Sequence, residues 1–193
     1  MTKYRLPHEE NECACASDSH NHSAVRLSCG NGTGLTLPVG GDSGCGCGSG
    51  NRFQSPALIV GTVNLDTTGL PNPTIKIDFS SLISFGAASG EGEYFLGIIF
   101  KLSKISNNGA QIPLETWIFE KKADAGIDCC EPNGVAPNPG RVEVRVQEPF
   151  SFHWCECHAC PGCFTYVLEV IHFEGTFIDF ALIGNVSISA MAV

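Results

Sequence analysis

The sequence predicts an all-β protein, a jelly-roll-like β-sandwich of about eight strands with an extended N-terminal arm. Three observations carry that expectation. No stretch of any length places apolar residues at helical spacing. Short alternating runs recur, as where Ile75, Ile77 and Phe79 interleave with Lys76, Asp78 and Ser80; that period of two is a strand with one buried and one wet face. Turn chemistry punctuates the runs, as in Gly69-Leu-Pro-Asn-Pro73 and Asn107-Asn-Gly109. A chain of 193 residues, 43% hydrophobic and 16% charged, is long and apolar enough for one domain with a substantial core.

Taken in order, residues 1–22 are polar and carry His8, His20, His22, Cys13 and Cys15, which reads as a flexible connector arm. The sandwich domain is expected over 23–193. From Cys15 to the domain start the extended chain reaches roughly 25–30 Å. That exceeds the ~15 Å radius of gyration of such a domain, so the arm can touch a neighbour. Residues 24–29 alternate as a first strand, and Leu35–Val39 form a short one that Pro38 assigns to an edge. The glycine loop 40–50 holds Cys45 and Cys47 and lacks the pattern of a phosphate loop. Clearer strands follow: Ala57–Leu65, Ile75 to Phe79, then Tyr94–Ile105 after a small-residue loop from Gly86 to Gly92. The Asn107-Asn-Gly109 hairpin returns the chain along Ile112–Lys121. Residues 123–140 read as a loop with adjacent Cys129 and Cys130, which point to two different partners because bonding each other would strain the peptide. Val142, Val144 and Val146 begin an amphipathic strand that runs to Trp154. Phe164–Phe173 and Phe177–Val193 complete the set.

A net charge of -9 argues against nucleic acid as a partner, since phosphates need a Lys/Arg surface. No apolar run approaches the ~20 residues of a spanning helix. The first ten residues lack the apolar core of a Sec signal peptide. Eleven cysteines nevertheless suit an oxidising compartment or metal binding. Three readings reconcile these facts: metal binding in the cytosol, a mature form without its leader, or release by lysis onto an outer surface. Eleven is odd, so at least one cysteine is left for a free thiol, a metal or another chain.

The densest feature is Trp154-Cys-Glu-Cys-His-Ala-Cys-Pro-Gly-Cys163, with Cys155, Cys157, Cys160 and Cys163 in nine residues. Disulfides, local or to another chain, are the first reading; a staple here would fix a sharp reversal between two strands. Zinc is the alternative, held by Cys155, Cys157, Cys160 and Cys163, or by one knuckle completed from Cys129/Cys130 or Cys45/Cys47. An iron–sulfur run fits less well, because Pro161 follows the middle cysteine and the flanks are strand-like. Cys29 joins the possible disulfide partners. His153 and His158 flank the cluster, but a catalytic thiol is usually solitary. No carboxylate pair has catalytic spacing, so no catalytic residue, enzyme activity or cofactor is expected. Exposed Trp117 and Trp154 would instead suit a glycan-binding sandwich.

Two resemblances follow from these residues. Thr62-Val-Asn-Leu-Asp-Thr-Thr-Gly-Leu70, Ile77-Asp-Phe-Ser-Ser81, Asn107 to Leu114 and the Trp154–Tyr166 run together resemble a family of uncharacterised cysteine-rich proteins of clostridia and other spore-forming Firmicutes. The layout is also similar to the endospore appendage pilins of bacilli, jelly-roll subunits with a cysteine-bearing N-terminal connector. That resemblance implies stacking by β-sheet augmentation, with Cys13 and Cys15 in the connector's disulfide-forming role. It also implies an extracellular or spore-surface location without a Sec signal. The domain here is longer than those pilins, and the connector reads Cys-x-Cys where theirs has adjacent cysteines. The expected function is a structural subunit whose partners are other copies of itself, with a cysteine-cluster metal-binding or redox module as the alternative.

Overall fold

The structure, a computed structural model, describes residues 25–38, 51–53, 56–88, 93–106, 109–124 and 143–193. Among these residues the chain forms eleven strands and no helix. They are β1 (Arg26–Cys29), β2 (Asn31–Gly32), β3 (Leu35–Leu37), β4 (Asn51–Phe53), β5 (Leu58–Asp66), β6 (Ile75–Ala88), β7 (Glu93–Ser106), β8 (Gln111–Asp124), β9 (Glu143–Glu156), β10 (Cys163–Thr176) and β11 (Ile178–Ala192).

Two antiparallel sheets face each other. One has the order β1-β11-β6-β9, with β3 also on β11; the other runs β2-β5-β10-β7-β8, with β4 also on β10. With the two- and three-residue strands β2, β3 and β4 set aside, eight strands remain. The first, eighth, third and sixth form one sheet; the second, seventh, fourth and fifth form the other. This is the jelly-roll order, and the expected fold class stands. The arm, residues 1–22, lies outside the described residues.

Alternation explains the core. Ile75, Ile77, Phe79, Ile83 and Phe85 of β6 and Leu96, Ile98, Phe100 and Leu102 of β7 are buried every second residue. Bulges shift this phase where one strand carries an extra residue. On β10 the shift falls between Val170 and His172, so burial passes from Val170 to Phe173. On β11 it falls between Gly184 and Ser187, where Asn185 has φ 50°. Burial there passes from Ala181 and Ile183 to Ile188, Ala190 and Ala192.

Several boundaries differ from the sequence reading. β6 continues to Ala88 through the expected loop at Gly86. Gly86 serves packing: a Cβ there would lie 2.3 Å from the Phe180 ring. β8 likewise runs to Asp124, into the expected loop. The hairpin between β7 and β8 forms as expected, with Gly109 at φ 78° and its N–H donating to the Ser106 carbonyl at 2.8 Å. Pro113 sits on edge strand β8 beside a bulge, where a missing donor does least harm.

Contacts link the two sheets on both sides of the sandwich. Residues 26–37 pair alternately with β11, β5 and β11, which ties the two sheets together. Gly30 allows the first crossing, since a Cβ there would lie 2.2 Å from the Thr62 carbonyl oxygen. On the other side β8 and β9 are the sheet edges. Trp117 of β8 stacks on Phe152 of β9 at 3.7 Å and 11°, and Phe119 meets Phe150 edge-on at 5.8 Å. Lys121 and Glu148 add an ion pair between the same strands.

Candidate functional site

The cysteine segment does not join neighbouring strands of one sheet. β9 pairs with β6, and β10 with β5 and β7. Residues 157–162 therefore carry the chain from one sheet to the other, between two strands as expected. The segment is docked on the β5–β6 turn. Thr67, fully buried, donates its hydroxyl to the Gly162 carbonyl at 3.0 Å and accepts from the Gly162 N–H at 3.0 Å. The Thr67 N–H also donates to the Gly162 carbonyl at 2.8 Å, and the Ala159 N–H to the Pro73 carbonyl at 2.9 Å. His158 is exposed at φ 57°, a left-handed conformation uncommon outside glycine.

This connection spreads the cysteines. Cys155 stands on the outer face of β9, opposite Lys76 of β6 and two residues from His153, which lies opposite Asp78. Lys76 Nζ is 2.8 Å from Asp78 Oδ1. Cys163 stands at the start of β10 opposite Asp66 of β5. Cys29 is on β1, opposite Ser189. Cys29, Cys155, Cys157 and Cys163 are exposed free thiols. Cys160 is disulfide-bonded. Among the described residues no three His, Cys, Asp or Glu side chains are placed to hold a metal ion, so Cys155, Cys157, Cys160 and Cys163 do not converge on one centre. Cys13, Cys15, Cys45, Cys47, Cys129 and Cys130 lie outside the described residues.

Cys163 lines an open cleft of about 470 Å³ with Arg26, Ser28, Asn64, Asp66 and Thr165 among its other walls. Asp66 organises it. The Thr68 side chain and the Thr68 N–H, donating at 2.8 Å, lower the Asp66 pKa, and the Cys163 thiol adds to this. The same carboxylate raises the Cys163 pKa, chiefly by accepting a hydrogen bond from the thiol; burial adds to the rise, and so does the repulsion between two negative charges.

Behind the segment lies a polar contact that sequence reading missed. Lys104 points inward from β7 and is 8% exposed. Its Nζ meets Glu156 Oε2 at 2.8 Å and Oε1 at 3.1 Å, and sits 4.1 Å from the Phe164 ring centroid. Burial, aided by Glu156, pushes the nearby Tyr166 phenol far above its usual range. Only the every-second-residue phase along β7 hinted that Lys104 faces inward. Trp117 is stacked on Phe152, and Trp154 lies 6.2 Å from Tyr166; both are half-buried, so neither is an open platform for a sugar ring.

A family model matches residues 23–193: a domain of unknown function, DUF4489. No curated protein matches the chain.

Proposed function

We propose that this chain, which belongs to the DUF4489 family of domains of unknown function, is a structural subunit of a self-assembling extracellular or spore-surface fibre. In this reading copies join by β-sheet augmentation and by disulfides through Cys13 and Cys15 of the N-terminal segment. One observation carries it: four described cysteines, Cys29, Cys155, Cys157 and Cys163, are exposed free thiols. Cysteine is among the most buried residue types, so thiols kept at the surface are available to another molecule. The sheets supply the second ingredient. β8 and β9 are edge strands of fourteen residues each, long enough to template a partner strand. A head-to-tail contact that does not close propagates as a filament.

The test is a gel of native material boiled in detergent with and without reductant, beside electron micrographs of the same samples. Expected are fibres, and a ladder that collapses to 20.5 kDa only with reductant. A C13S/C15S variant is expected to lose the ladder. Monomer in both lanes without fibres refutes the reading.

A further inference from the structure

We propose that the exposed thiols at the cysteine-rich end are ranked by the residue opposite each, so that Cys155 engages first in disulfide exchange and Cys163 last. The sheet register carries the argument. Cys155 faces the Lys76 ammonium across β9 and β6, with His153 two residues along the same face. Cys163 faces the Asp66 carboxylate across β10 and β5 and shares a hydrogen bond with it. Directly opposed side chains on adjacent strands lie about 5 Å apart at Cβ. At that range a cation favours the thiolate that attacks a disulfide, and an anion disfavours it.

The neighbouring charges temper both sites without reversing the order. Lys76 also holds Asp78, so Cys155 sees a partly neutralised cation. Arg26 lies near Asp66, and the Thr68 side chain opposes the rise of the Cys163 pKa. Cys29 faces the neutral Ser189, and Cys157 lies in the crossing segment away from the strand register.

The reagent class is a low-molecular-weight disulfide. The Cys155 thiolate attacks one of its sulfurs, the S–S bond breaks, and the leaving thiolate takes up a proton. A thiolate from a second copy then attacks the Cys155 sulfur and displaces the other half. Two protein thiols have then lost two electrons to one small disulfide. The last step rests on the fibre reading above; the ranking itself does not.

The test uses the full-length reduced protein with oxidised glutathione at pH 7.5. Remaining thiols are alkylated at timed intervals, and the adducts are located by fragmentation mass spectrometry. Cys155 is expected to react at least about threefold faster than Cys163. Lys76→Met is expected to slow Cys155 alone, and Asp66→Asn to speed Cys163 alone. Asp66 is exposed and Lys76 half-buried, and circular dichroism checks the fold. Equal rates at Cys155 and Cys163, or no response to either substitution, overturn the ranking. A non-reducing gel of the same samples tests the fibre reading separately: a ranked protein that never cross-links keeps the inference and loses the fibre.

Discussion

Replacing Glu156 by Gln strands a buried ammonium. The Lys104 side chain is 10% exposed and the Glu156 side chain 29%. Removing one partner of a fully buried pair costs about 3–5 kcal/mol, because the remaining charge has lost its solvation and its counter-charge. Here Glu156 is partly wet, and a glutamine carbonyl still accepts one hydrogen bond, so the expected cost is about 2 kcal/mol. At 2–4 °C per kcal/mol for a chain of this size, the midpoint should fall by about 4–8 °C. Lys104→Met behaves differently. It removes the buried charge at similar length and leaves a carboxylate that can turn to water, so it should cost under about 1 kcal/mol. The double variant should track Lys104→Met alone. The assays are urea and thermal unfolding followed by tryptophan fluorescence, with reductant throughout so that disulfides do not contribute. If Lys104→Met destabilises as much as Glu156→Gln, the ion pair is not held by desolvation of the lysine and the reasoning fails.

Thr67→Val keeps the shape of a buried side chain and deletes both hydroxyl bonds to Gly162, so it should cost about 2 kcal/mol by the same urea assay and raise proteolysis within 157–162. Gly30→Ala places a methyl 2.2 Å from the Thr62 carbonyl oxygen and should cost about 1–3 kcal/mol, read as a lower denaturant midpoint. Alkylation of Cys163 should need higher pH than an ordinary thiol, since its raised pKa keeps it protonated until the pH climbs past that value. Asp66→Asn should shift the Cys163 profile to lower pH, measured by timed iodoacetamide labelling.

Strand positions were legible because burial on one face leaves a period of two, visible wherever no bulge intervenes. Ile75 to Phe79 and Leu96 to Leu102 show it without interruption. The phase changes were not legible. A bulge at Asn185 depends on two residues of β11 facing one of β6, which is a property of the pair. The same holds for the site. Cys155 and Cys163 are visible in any reading of the chain, but Lys76 and Asp66 lie 79 and 97 residues before them and are joined to them only by register. Lys104 and Glu156 are 52 residues apart, and each alone reads as an ordinary surface charge. Gly86 looked like a loop residue because the Phe180 ring that requires it is nearly a hundred positions later.

The bulge at Asn185 acts on the last strand as an inserted base acts on a reading frame. Before it, Ala181 and Ile183 are read as interior; after it, Ile188, Ala190 and Ala192 are. Deleting Asn185 alone would leave Val186 opposite Ser81 and keep Ser187 opposite Ser80 and Ile188 opposite Phe79, so Ile188 and Ala190 would still face the core and the strand would alternate without a break. A one-residue deletion is therefore tolerated at the bulge and not in the regular pairing on either side of it, and the frame gives the strand its specificity as much as its composition does.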